Sequence, residues 1–146
     1  MSLLAKVSCV AVAGRALLIE GPSGSGKSSL ALALIDRGAV LVGDDGVELA
    51  VNGGVLFASP PPRIAGLIEV RNLGLLTFPT AARVPLALVL RLDPQAPRFI
   101  DEPESAAIEG VILPLVRIWP DAALAALKAE LALAHWGLPL PAAPAA

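Results

Sequence analysis

Tyrosine is absent from this 146-residue chain, and aromatic residues of all kinds make up 3% of it. So few rings offer little for unpaired bases to stack on. A formal net charge of −2 and a pI near 5.3 leave no broad cationic footprint for a phosphate backbone either, so nucleic acid is not an expected partner. Cys9 is the single cysteine, which excludes an intramolecular disulfide and a cysteine-rich metal site, and its apolar neighbours predict an inert buried thiol. Long hydrophobic runs are missing as well, although 55% of the residues are hydrophobic and the mean hydropathy is +0.73. The most apolar segments, VPLALVL at 84–90 and GVILPLV at 110–116, fall short of the ~18 residues that would span a bilayer and suit buried strands instead. The N-terminal apolar stretch is broken at Gly14-Arg15, so neither a membrane anchor nor a removable leader is expected, and the expected location is the cytoplasm.

The length suits one domain, placed at 1–138, with PLPAAPAA at 139–146 read as a flexible tail. Residues 8–12 and 16–20 predict two strands joined by the Ala13-Gly14-Arg15 turn. SLALALIDRG at 29–38 predicts a short helix that starts on Ser28 and stops at Gly38. AVLVGDD at 39–45 reads as a strand presenting Asp44 and Asp45 at its end, followed by a strand at 47–51 and an Asn52-Gly53-Gly54 turn. Further along, 84–92 reads as a buried strand, 93–105 as a polar loop, and 110–118 as a strand region interrupted by Pro114. Asp121 is placed to cap a last helix with Leu124, Leu127 and Leu131 on one face. The order predicts an α/β fold, with a mixed β-sheet flanked by helices.

Residues 21–28 are the most informative. Gly21, Gly26, Lys27 and Ser28 satisfy the G-x-x-x-x-G-K-[ST] phosphate-loop pattern between a predicted strand and a predicted helix. In that setting successive backbone N–H groups turn around phosphate oxygens, and the helix start adds partial positive charge. Lys27 is placed to meet the outer phosphates and Ser28 to ligate Mg²⁺. Pro22, Ser23, Gly24 and Ser25 complete the loop, its serines serving either a phosphate or simply a tight turn. A second acidic group is needed beside such a loop, and the candidates are Asp44, Asp45 and Glu69. The paired aspartates could equally form a solvated turn, and Glu69, between Ile68 and Val70, could simply face outward on a strand.

GPSGSGKSSLALALIDRGAVLVGDDGVEL at 21–49 and LIEVRNLGLL at 67–76 resemble the HPr kinase/phosphorylases, bacterial enzymes that act on a serine of the phosphocarrier protein HPr. The second segment is similar to that family's Glu-x-Arg-Gly-x-Gly signature, and the likeness extends over roughly residues 6–118, a short single-domain form of the catalytic part. The resemblance implies a P-loop kinase fold related to phosphoenolpyruvate carboxykinase, ATP and Mg²⁺ as cofactors, HPr as partner, and a hexamer. It implies Ser28 and Glu69 as Mg²⁺ ligands, Asp45 as proton acceptor from the HPr serine, and Asp44 as its support. Arg71 would hold Glu69 and the phosphate region, and Arg98 would match the family's catalytic arginine. Four features depart from the pattern. Lys6 stands where the family has a histidine, the chain's single histidine being His135; Ser29 replaces an acidic residue; Asn72 replaces the signature glycine; and LPLVRIWP at 113–120 follows the family's phosphorolysis loop only loosely. Kinase activity is the primary expectation, with phosphorolysis secondary; the alternatives are a small-molecule P-loop kinase and a nucleotide-binding regulatory module.

Overall fold

The computed structural model describes residues 2–142, and the end of the expected tail, 143–146, lies outside the described residues. Eleven strands and two helices follow one another among them. They are β1 (Ser2–Ala5), β2 (Ser8–Val12), β3 (Arg15–Glu20), α1 (Lys27–Asp36), β4 (Val40–Gly43), β5 (Gly46–Asn52) and β6 (Val55–Ser59). Then come β7 (Leu67–Val70), β8 (Gly74–Thr77), β9 (Val84–Leu92), β10 (Glu104–Ile108), β11 (Val111–Ile118) and α2 (Ala125–Trp136). Nine strands form one mixed sheet in the order β1-β5-β6-β9-β3-β2-β4, with β11 joining β9 and β10 beyond it, while β7 and β8 pair apart from it. Among the described strands the β3–β9 and β9–β11 pairings are parallel and the other strand pairings antiparallel, with one isolated parallel bridge from Leu41 of β4 to Thr80.

The central strand β9 explains how so apolar a chain buries itself. Its pairing with β3 slips between Ala16↔Leu86 and Leu17↔Leu88, a bulge that leaves Ala87 unpaired and inverts the alternation of faces. Before the slip Val84 and Leu86 point into the core enclosed by β1, β5 and β6; after it Leu88, Leu90 and Leu92 point to the opposite core, under the helices. Sheet residues thus feed two cores at once, which is why the segment reads as a continuous apolar run. Cys9 lies fully buried in the sheet, and burial raises its thiol pKa, in keeping with the expected inert cysteine.

Helix α1 ends as the sequence predicts. Ala39 N–H reaches Leu34 O at 2.9 Å and Gly38 N–H reaches Ile35 O at 3.0 Å, with Gly38 at φ 108, the paired bonds of a Schellman stop. Helix α2 differs from expectation in two ways. It starts at Ala125, and Asp121 instead organises the preceding turn, its Oδ1 accepting Ala123 N–H at 3.1 Å. Its buried side is Ala125, Ala126, Ala129, Ala132 and Leu133, whereas Leu124, Leu127 and Leu131 are exposed. Alanines let the helix sit close on the sheet, and the leucine face is left outward. Both helices pack on the same side of the sheet, against the core of Leu88, Leu90 and Leu92. β10 begins inside the segment read as loop. β11 runs unbroken through Pro114, which pairs with Ser105 just before the stretch 115–118 that adds β9 as a second neighbour, so the missing N–H interrupts no parallel rung.

Candidate active site

β3 carries the chain out of the core from fully buried Leu18 and Ile19, and α1 returns it through buried Leu30, Ala31 and Leu34. The loop between them is therefore fixed at both ends. Gly26 takes φ 101 at the helix start, a left-handed conformation that a side chain would strain, and Ser25 N–H closes on Pro22 O at 3.1 Å. Lys27 Nζ donates to Gly21 O at 2.8 Å and Pro22 O at 3.1 Å, holding the ammonium over the mouth of the loop.

β4 lies against β2 and delivers Asp44 and Asp45 beside that mouth. The turn is tight: a Cβ on Gly43 would lie 2.1 Å from Gly46 O. Asp45 adopts φ 59, a left-handed conformation that aspartate tolerates better than most residues, and its carbonyl accepts the Lys6 N–H at 3.2 Å. The two carboxylates then part company. Asp44 is buried and its Oδ1 accepts both the Ser28 and the Ser8 hydroxyls, each at 2.8 Å, while Asp45 is exposed. Two donated hydrogen bonds satisfy a carboxylate that burial would otherwise penalise. Because the Ser28 proton is directed at Asp44, the lone pairs of Ser28 Oγ remain for a cation.

The β7–β8 hairpin forms the opposite wall. Ile68 is buried and anchors it, so alternation turns Glu69 away from the core, where it lines the cleft, and Asn72 holds the connecting turn at φ 74, the left-handed conformation that the signature glycine would supply. Lys27, Ser28, Asp44, Asp45, Glu69 and Arg71 line one cleft of about 640 Å³. Among the described residues no ion pair joins Arg71 to Glu69, and no three His, Cys, Asp or Glu side chains gather as a ready-made metal cage. A hydroxyl and carboxylates, few in number and all oxygen donors, suit Mg²⁺, which keeps waters and takes phosphate oxygens for the rest of its shell. Arg98 is not brought here. It is exposed in a separate cavity of about 460 Å³ with Phe99, Trp119, Lys128 and His135.

Ser8 is the residue that sequence reasoning passed over. Its only signal is a polar side chain at the head of the apolar run SCVAV, and its purpose shows once β2 and β4 pair and Asp44 is 2.8 Å away.

The family model for the HPr Serine kinase C-terminal domain matches residues 3–81, the stretch that contains every residue lining the 640 Å³ cleft. The chain belongs to the HPr serine kinase C-terminal domain family. An HPr kinase/phosphorylase of Clostridium tetani is 46% identical over 71 residues, 49% of this chain and 23% of that protein. One of Bordetella petrii is 49% identical over 70 residues, 47% of this chain and 23% of that protein. The chain thus spans less than a quarter of the length of these curated relatives. The solved Hpr(Ser) kinase/phosphatase of Coxiella burnetii superposes with a TM-score of 0.79 at 26% identity, covering 92% of this chain and 96% of that one. The family's phosphate-loop α/β fold agrees with the mixed sheet described above, and the departures at Lys6, Ser29 and Asn72 all fall within the matched stretch.

Proposed function

We propose that this chain is an ATP- and Mg²⁺-dependent protein serine kinase whose acceptor is a serine of the phosphocarrier HPr. The observation that carries the reading is the Ser8–Asp44–Ser28 hydrogen-bonded set beside Lys27, with the exposed Asp45 in the same cleft. Bound Mg-ATP supplies the phosphoryl group and the charge that neutralises its oxygens. The loop N–H groups and Lys27 would hold the outer phosphates, and Ser28 and Glu69 would hold the metal. Asp44 fixes the Ser28 hydroxyl. Asp45, free of other side-chain partners among the described residues, takes the proton from the acceptor hydroxyl as its oxygen bonds to the γ-phosphorus and the bond to the departing diphosphate breaks. Phosphorolysis would run the same proton path in reverse.

The acceptor assignment draws on the names carried by the relatives. The reading further includes one domain over 1–138, argued from chain length, a cytoplasmic location, and self-association, which the family resemblance implies. Among the described residues no helix is long and apolar enough to cross a membrane. The test is incubation of the protein with Mg-ATP and purified HPr, followed by detection of phosphoserine. Transfer that disappears in Lys27→Ala supports the reading; transfer to a small metabolite and not to HPr replaces it with a small-molecule kinase, and ATP binding with no transfer replaces it with a regulatory module.

A further inference from the structure

Ser29 stands at a junction. It is exposed on the first turn of α1 and, with Gly26, borders both the phosphate cleft and a smaller hollow of about 170 Å³ on another side of the loop. Leu30 and Ala33 of α1, Leu92 at the end of β9, and Pro120 and Ala122 ahead of α2 form its walls. We propose that this hollow receives the base of a nucleoside triphosphate whose phosphates occupy the glycine loop, an inference that rests on the phosphate-site reading above.

Three observations carry it. The hollow shares Gly26 and Ser29 with the phosphate cleft, so a ligand that leaves the loop past the start of α1 meets it directly. Its walls are apolar and mostly small, and its volume of about 170 Å³ suits a flat apolar-faced ring more than a polar group. The far wall is already in place: Asp121 O accepts Ala125 N–H at 2.8 Å and Leu124 N–H at 3.2 Å, and Asp121 Oδ1 accepts Ala123 N–H, so no closing motion is needed to form it. The depression on the other flank of α1, between Ile35, Asp36 and Phe78, is more open and carries a carboxylate. The serine hydroxyls of Ser25 and Ser29 are the hollow's polar side chains, and Ser25 Oγ has no partner among the described residues. Purines should therefore be held by shape with little preference between adenine and guanine.

The test compares Mg-ATP with Mg-tripolyphosphate, which has the phosphates and no base, by titration calorimetry. Ala122 is exposed, so Ala122→Trp can fill the hollow without entering the core, and an unchanged circular dichroism melt verifies the fold. Wild type should bind Mg-ATP more tightly than Mg-tripolyphosphate; Ala122→Trp should weaken Mg-ATP about tenfold or more and leave Mg-tripolyphosphate within about twofold. Lys27→Ala should weaken both. Equal wild-type affinity for the two ligands, or Mg-ATP binding unchanged in Ala122→Trp but weakened in Phe78→Ala, overturns the inference and leaves the phosphate site standing. If wild type binds neither ligand, the phosphate-site reading falls and takes this inference with it.

Discussion

Replacing Asp44 by alanine removes the acceptor that takes both the Ser8 and the Ser28 hydroxyls. Ser8 is 1% exposed, so its hydroxyl would be left buried without a partner. Urea unfolding of Asp44→Ala should show a loss of about 1–3 kcal/mol, the usual cost of stranding such a group. Asp45 should behave differently. It is exposed, and asparagine keeps the tolerance for φ 59, so Asp45→Asn should unfold within about 0.5 kcal/mol of wild type in the same experiment. The two aspartates looked alike in sequence because both follow the same short strand. What separates them is the backbone: Gly43 permits a turn that sends one carboxylate inward to Ser28 and the other outward to the cleft.

At the scale of elements, the strands and helix around the glycine loop were legible because each has unbroken apolar character and a clear stop, the Gly38 Schellman turn among them. The β7–β8 hairpin was not. Its β8 residues are all exposed, so no buried face imprints an alternation on the sequence. A two-stranded element with one deeply buried anchor is weakly held. Amide exchange measured by mass spectrometry should therefore find residues 67–77 exchanging through local opening while β3 and β9 exchange only near global unfolding. The leucines of α2 misled for a related reason: hydrophobicity ranks Leu above Ala, yet the close approach of α2 to the sheet selects Ala129 and Ala132 for the contact. Arg98 was expected at the site only through the family resemblance, and beyond the turn at 93–96 it lines the separate cavity instead. That turn is also pH-sensitive. Asp93 is held below its ordinary pKa, first by the Gln95 N–H and also by Arg117 at 3.1 Å. A carboxyl with a depressed folded pKa contributes stability that is complete above the unfolded value of about 3.9 and is lost as the pH falls through the folded one. Asp93→Asn should accordingly lose stability at neutral pH and show a flatter acid limb below pH ~4 in a stability–pH series.

For the whole molecule, the 55% hydrophobic composition is accounted for by two cores, one on each side of the large mixed sheet. That arrangement leaves β3, β2 and β4 side by side, so that the glycine loop at the end of β3, Ser8 at the head of β2 and the aspartates after β4 converge on one edge. Sequence alone supplied the phosphate loop and the acidic candidates; their convergence depends on long-range pairing, which local pattern does not encode. The central claim is that this edge transfers a phosphoryl group to a serine hydroxyl with Asp45 as proton acceptor. Its most direct test is the single-turnover rate of phosphoserine formation on HPr from saturating Mg-ATP, compared between wild type and Asp45→Asn. The account predicts that the rate falls by about 10²-fold or more while Mg-ATP affinity and folding stability are preserved; a variant that transfers at the wild-type rate would contradict it.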